Sequence, residues 1–343
     1  VISTFEPPPV AARFTSADAE VQAALALAED PRARPEERAE MLMEIARGLQ
    51  VRPREASQLR DAVALCRRAA ELVPPGFELL AARIRALEGA AHQALPDGGA
   101  PALLAAQACY EASRRALQDA GLPEEVAELD MNLGLVTQAL AGVHQARIQD
   151  AISRYHLALK VFSKEAWPRE FAILHNNLAI AYLSIPASDE RARMREALAV
   201  QSFEEVLKIV TLVDHPAEYA MTQNNLGNAL QYAPSSHPVA NLLRAIEAYD
   251  EALKVRTAGA MPVEHAHTIA NKANALANLP DDVQREAVLP PRAEARALYR
   301  EALAILERHA LPDAAETVAQ ALAELDAGEH AFGASRVPGA AES

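Results

Sequence analysis

Asparagine recurs at one position of four successive segments, as Asn132, Asn177, Asn225 and Asn271. Asn176 and Asn224 precede two of them, while Asn228 and Asn274 follow one helical turn later. A carboxamide donates and accepts at once, so a row of them matches the alternating N–H and C=O groups of an extended peptide. His175, Gln223 and His267 neighbour this row, and Lys272 stands where the pattern calls for a leucine. Asparagine is a mediocre helix-interior residue, costing roughly a few tenths of a kcal/mol per site, so its repetition needs an offsetting gain. Two gains are open. The amides either bridge adjacent helices and fix their register, or they line a groove and hold a partner's backbone. Asn177 and Asn225 lie closer to the apolar stripe, which makes Asn176, Asn224, Asn228 and Asn274 the better groove residues. The stem of Lys272 can cover the apolar seam and carry its ammonium into the groove; alternatively its repeat is degenerate and loose.

Other chemistry is missing from the sequence. It has no Gly-rich phosphate loop, no nucleophile elbow and no Cys/His set at metal-ligand spacing. His265 and His267 are two apart and so sit on different faces of a helix, without the i,i+4 pairing of helical zinc motifs. His215 reads as a turn residue beside Pro216, and Trp167, just before Pro168, as a packing residue at a helix start. No catalytic residue, metal or cofactor is therefore expected. The chain of 343 residues carries a formal charge of −14 with pI near 5.2, which gives no electrostatic footprint for nucleic acid and would be repelled by an acidic membrane. A partner recruited by charge would carry a basic segment, although acidic charge also simply keeps a long helical surface soluble. Cys66 and Cys109 read as small core residues, not as a disulfide or metal pair. No run reaches the ~18 apolar residues of a membrane helix. The expected location is the cytoplasm, and the oligomeric state stays open.

The elements that must position the amides follow from composition and repetition. Half of the residues are apolar, but aromatics reach only 4%, and about 75 alanines carry the apolar share. Such a chain favours helices over strands. Four segments align without gaps: LPEEVAELDMNLGLVTQAL from Leu122, WPREFAILHNNLAIAYLSIP from Trp167, HPAEYAMTQNNLGNALQYAP from His215 and MPVEHAHTIANKANALANLP from Met261. LPDAAETVAQALAELDAG from Leu311 is a weaker copy, and Pro75 and Pro35 extend the ladder upstream. Each begins with a proline (Pro123, Pro168, Pro216, Pro262, Pro312), followed in the first four by a glutamate two residues on. That combination opens a helix, because proline fits the first turn and carboxylates favour the positive dipole end. A second helix follows each, patterned Ala-x-x-x-aromatic-x-x-Ala-Leu: Ala151/Tyr155/Ala158/Leu159, Ala245/Tyr249/Ala252/Leu253 and Ala295/Tyr299/Ala302/Leu303. Ala199/Phe203/Val206/Leu207 is a variant. These offsets share one helical face. Cys66 and Cys109 occupy the aromatic position in two earlier, degenerate copies.

With Leu178, Ala179 and Tyr182, or Leu226, Gly227 and Leu230, in the first helix and the Ala/Tyr/Ala-Leu second helix, the pattern resembles the tetratricopeptide repeat. DHPAEYAMTQNNLGNAL and ALYREALAILE are similar to its longer, kinesin-light-chain-like variety and to bacterial tandem arrays. The resemblance covers residues 122–325 strongly and 30–121 weakly. It implies an all-α, right-handed α-solenoid of six to seven antiparallel helix pairs, whose first helices line the inner surface and whose asparagines contact ligands there. Stacked pairs bury apolar faces that no pair buries alone. The expected organisation is a Pro-rich arm over 1–18, degenerate repeats over 19–121, well-formed repeats over 122–327 and a flexible tail over 328–343. The first and second helices of a pair should be joined by long polar inserts at 186–191, 234–238 and 280–291. The function expected is a non-catalytic protein- or peptide-binding scaffold. A ligand-responsive regulator that changes superhelical pitch, and a self-assembling structural unit, are the alternatives.

Overall fold

A computed structural model describes residues 21–23, 26, 32–185, 190–233, 238–280, 283 and 289–328. The arm over 1–18, the tail beyond Gly328 and the middles of the three inserts lie outside the described residues. Thirteen helices are defined among the described residues, and no strand. The chain divides into two compact units at Ser163/Lys164. The first holds α1 (Pro35–Val51), α2 (Ala56–Leu72), α3 (Glu78–Ala94), α4 (Gly99–Asp119), α5 (Pro123–Gly142) and α6 (Ile148–Ala158). The second holds α7 (Pro168–Leu183), α8 (Glu190–Val206), α9 (Pro216–Tyr232), α10 (Pro238–Leu253), α11 (Pro262–Ala277), α12 (Pro291–Arg308) and α13 (Pro312–Ala327). Within each unit every helix packs on the next, so odd-numbered first helices alternate with even-numbered second helices. In the second unit, α9 also touches α11 and α11 touches α13, which brings successive first helices side by side.

The proline ladder marks the helix starts. Pro123, Pro168, Pro216, Pro262 and Pro312 each occupy the first position of a first helix, as does Pro35 upstream. Pro75 departs from the pattern: α3 opens only at Glu78, after Gly76 at φ 95°. The inserts fall between first and second helices as expected, except that their last residues already open the second helices, at Glu190, Pro238 and Pro291.

The second helices bury the face their spacing defines. Ala151, Tyr155 and Ala158 are buried on α6, as are Ala245, Tyr249 and Ala252 on α10, and Ala295, Tyr299 and Ala302 on α12. Each tyrosine needs room in its paired first helix; glycine supplies it for Tyr110, Tyr155 and Tyr249, and Ala273 stands at that position opposite Tyr299. A Cβ added at Gly134 or Gly227 would overlap the ring of Tyr155 or Tyr249, and one at Gly89 would come to 2.9 Å from Tyr110. That third contact corrects the reading of Cys109. Tyr110, not Cys109, fills the aromatic position of α4; Tyr110 is fully buried, whereas Cys109 is only partly so. Cys66 keeps its place, buried in the core shared by α1, α2 and α3. Burial pushes the Cys66 thiol up to about 12 and the Cys109 thiol up to about 11, so both remain protonated at neutral pH.

Candidate functional site: the amides of the first helices

The small residue, the tyrosine and a glutamine form a unit that repeats. Four residues after each glycine, on the same helical face, stands Gln93, Gln138 or Gln231. The Tyr110 hydroxyl donates to Gln93 Oε1 and the Tyr155 hydroxyl to Gln138 Oε1, each at 2.8 Å. Gln231 Nε2 donates to Tyr249 Oη, and that hydroxyl donates in turn to Asn228 Oδ1 at 2.8 Å. The glutamine thereby fixes the rotamer of the buried ring from the first helix.

In the second unit Gln231 is also the centre of an amide network between α9 and α11. Asn274 Nδ2 donates to Gln231 Oε1 at 2.9 Å, Gln231 Nε2 reaches the Asn271 carbonyl at 3.3 Å, and Asn271 Nδ2 donates to Asn224 Oδ1 at 3.3 Å. Asn278 Nδ2 closes the network on the Asn274 carbonyl at 2.8 Å. The structure thus brings together Asn224, Asn228, Asn271 and Asn274, and adds Gln231 and Asn278, which the asparagine count alone overlooks. Gly-x-x-x-Gln spacing was the available signal for Gln231. Asn224 and Asn225 are 4% and 3% exposed, so α9 draws its amides inward.

One helix earlier the same positions carry Asn176 on α7 and Asn225 on α9, in the places of Asn224 and Asn271. Here the pair is not closed. Asn176 Oδ1, an acceptor, and Asn225 Nδ2, a donor, are both buried without a hydrogen-bond partner among the described residues. Asn177 on α7 and Asn132 on α5 of the first unit are half-buried, and neither makes a side-chain hydrogen bond to another described residue. His267 is half-buried on α11, one turn before Asn271.

Of the remaining candidates, Lys272 and Gln223 turn toward second helices. The Lys272 ammonium donates to Asp250 Oδ1 of α10 at 2.5 Å and lies 3.6 Å from Glu294 of α12, with its side chain 13% exposed. This follows from its position: Leu133, Leu178 and Leu226, its counterparts, are buried core residues. Its charge is therefore spent inside the repeat, not delivered to the first-helix face. Gln223 Nε2 donates to Tyr219 Oη at 3.0 Å, and that hydroxyl donates to Glu251 Oε2 of α10 at 2.9 Å. The His175 ring packs 4.3 Å from Phe171. At the equivalent place in the first unit, buried Asp130 is clamped by Arg114 Nε at 2.7 Å and Arg154 Nη1 at 3.0 Å, from α4 and α6. At the position two residues before the register asparagine, Asp130 bonds neighbouring second helices directly and Gln223 reaches one through Tyr219, whereas His175 packs on Phe171 of its own helix and α11 carries Ile269.

No cluster of three or more His, Cys, Asp or Glu placed to hold a metal occurs among the described residues, and no helix there is long and apolar enough to cross a membrane. No protein-family model and no curated protein matches the chain. Among solved structures, BtubC (BKLC) from P. vanneervenii is similar with a TM-score of 0.50 at 20% identity, over 80% of this chain and 94% of that one. NprR in complex with its cognate peptide NprX gives a TM-score of 0.46 at 16% identity, over 92% of this chain and 82% of that one. The TPR2AB-domain:pHSP90 complex of yeast Sti1 gives 0.28 at 14% identity, over 84% and 98%. The helix pairing, the Gly–Tyr packing and the first of these likenesses make the chain a tetratricopeptide-like helical-repeat protein.

Proposed function

We propose that this chain is a non-catalytic scaffold that holds an extended peptide segment of a partner protein against the first helices of its second unit. The observation that carries the reading is the unspent hydrogen-bonding capacity at consecutive register positions. Asn177 is half-buried with both of its functions unused, beside the unmatched Asn176 Oδ1 and Asn225 Nδ2. The buried Asn176 Oδ1 and Asn225 Nδ2 cost about 1–3 kcal/mol each in this state, and the part-exposed Asn177 amide offers a peptide main chain complementary groups. Asn228, Asn271 and Asn274 continue the row of amides on α9 and α11, while Asn132 repeats the motif on the first unit. Net charge of −14 favours a segment with basic residues, and two protonated free thiols suit the reducing cytoplasm.

Affinity purification from the native host followed by calorimetry with the recovered partner's segments tests this. Asn177→Ala breaks no internal bond, so it should leave the melting temperature unchanged and weaken the partner roughly 5- to 30-fold, the equivalent of about 1–2 kcal/mol. Undiminished affinity in this variant removes the first-helix amides from the binding site.

A further inference from the structure

A second feature, on the first unit, lies away from these amides. Residues 32–94 hold eleven arginines, no lysine and nine acidic residues, a slightly cationic stretch in a strongly acidic chain. Arg60, Arg67 and Arg68 are spaced i, i+7, i+8, so they share one face of α2. They line an open cavity of about 450 Å³ together with Val63, Ala64 and Glu71 of α2 and, from the end of α3 and just beyond it, His92 and Leu95. The three arginine side chains are well exposed.

Each guanidinium is steadied by one carboxylate. Arg60 pairs with Asp97, Arg67 Nε donates to Glu88 Oε1 at 2.8 Å, and Arg68 Nη1 donates to Glu71 Oε2 at 2.8 Å. His92 Nε2 lies 3.5 Å from Arg67 Nη2 and 3.6 Å from Glu88 Oε1. A guanidinium has five N–H donors, so these bonds orient each fork and leave most of its donors for another oxygen group. Exposed pairs of this kind add little to stability, so fold stability does not account for three of them around one cavity. Asp97, Glu88 and Glu71 match the arginines in number, so a ligand is held here through the free N–H donors and not by net charge. A dianionic tetrahedral group with three terminal oxygens makes the most of three forks.

We infer that this cavity binds a small organic phosphate monoester, its oxygens on Arg60, Arg67 and Arg68 and its apolar body on Val63, Ala64 and Leu95. The site shares no residue with the amides of the second unit, so the two readings fail or stand separately. Calorimetry of the full chain with phenyl phosphate should give saturable one-site binding, weaker with inorganic phosphate, which has no apolar body, and weaker with benzoate, which has two oxygens. Arg67→Gln should reduce the affinity for phenyl phosphate tenfold or more at an unchanged melting temperature, and Arg60→Gln likewise, while Asn177→Ala has no effect. Absence of saturable binding up to about 10 mM phenyl phosphate, equal affinity in both arginine variants, or benzoate binding as tightly as phenyl phosphate overturns the assignment.

Discussion

A buried tyrosine hydroxyl needs a partner, and the repeats differ in whether they supply one. Gln93, Gln138 and Gln231 serve Tyr110, Tyr155 and Tyr249. On α7 the glutamine position holds Leu183, and the facing second helix carries Phe203, which has no hydroxyl to satisfy. On α11 the position holds Ala277, yet α12 keeps Tyr299, whose buried Oη has no hydrogen-bond partner among the described residues. The consequence is a difference between two identical substitutions. Tyr155→Phe should destabilise by about 1 kcal/mol, because it also strands Gln138. Tyr299→Phe removes an unsatisfied group and should be neutral or stabilising, by about 0–1 kcal/mol. Parallel thermal or urea melts of the two variants check this, and equal losses would mean that Tyr299 has a partner the structure does not show. The same rule explains the misplacement of Cys109. Cys109 and Tyr110 both fit the apolar pattern of α4 within one residue, and only the hollow at Gly89 selects the tyrosine.

At the scale of elements, the helix starts were legible because proline and acidic first turns are local signals, read without knowing the neighbours. The helix ends were less legible, since four of them close on a left-handed residue that is glycine only at Gly121 and Gly328. After α4, Gly121 (φ 72°) lets Leu122 N–H bond the Leu117 carbonyl and Gly121 N–H bond that of Gln118. The same 6→1 and 5→2 pair follows α5 through His144 (φ 60°) and α12 through Ala310 (φ 56°). The apolar residue after the turn, Leu122 or Leu311, packs in the same cluster as Leu117 or Leu306 and starts the next helix. Alanine at φ 56° bears the steric cost that glycine avoids. Ala310→Gly should therefore stabilise the second unit by about 0.5–1 kcal/mol, net of the extra freedom glycine gains when unfolded, and Gly121→Ala should destabilise the first by about 1 kcal/mol. Melting temperatures of the two variants decide it; a loss in Ala310→Gly would show that the turn is not strained. The amides illustrate the limit of local signals. Spacing places Asn224, Asn271 and Lys272 on the first helices, but their destinations depend on which helix comes alongside, and that is a property of the stack.

For the molecule as a whole, charge acts through the few groups whose titration is coupled to folding. In the first unit, burial holds the imidazoles of His92 and His156 below the usual value near 6.5, although Glu88 pulls His92 the other way. As pH falls through 6.5 the unfolded chain takes up protons before the folded one does. The contribution of these histidines is thus complete above about pH 6.5 and is lost as pH falls through their folded values. In the second unit the depressed groups are carboxylates: Glu205 is held down by Lys208, and Glu251 by Lys254 with help from the Tyr219 hydroxyl. Their contribution is present above the usual value of 4.5 and lost only as pH drops below it. Glu37 and Glu125 of the first unit are held down too, by Arg34 and Arg83, so both units lose stability below 4.5 and the first also does so below about 6.5. Circular dichroism follows both, whereas fluorescence of the single tryptophan, Trp167, reports the second unit. Between pH 7.5 and 5.5 the helical signal should lose thermal stability while the tryptophan transition stays nearly fixed, and the His92→Gln, His156→Gln double variant should flatten the first response. A double variant with an unaltered slope over this window would place the acid sensitivity of the first unit in other groups.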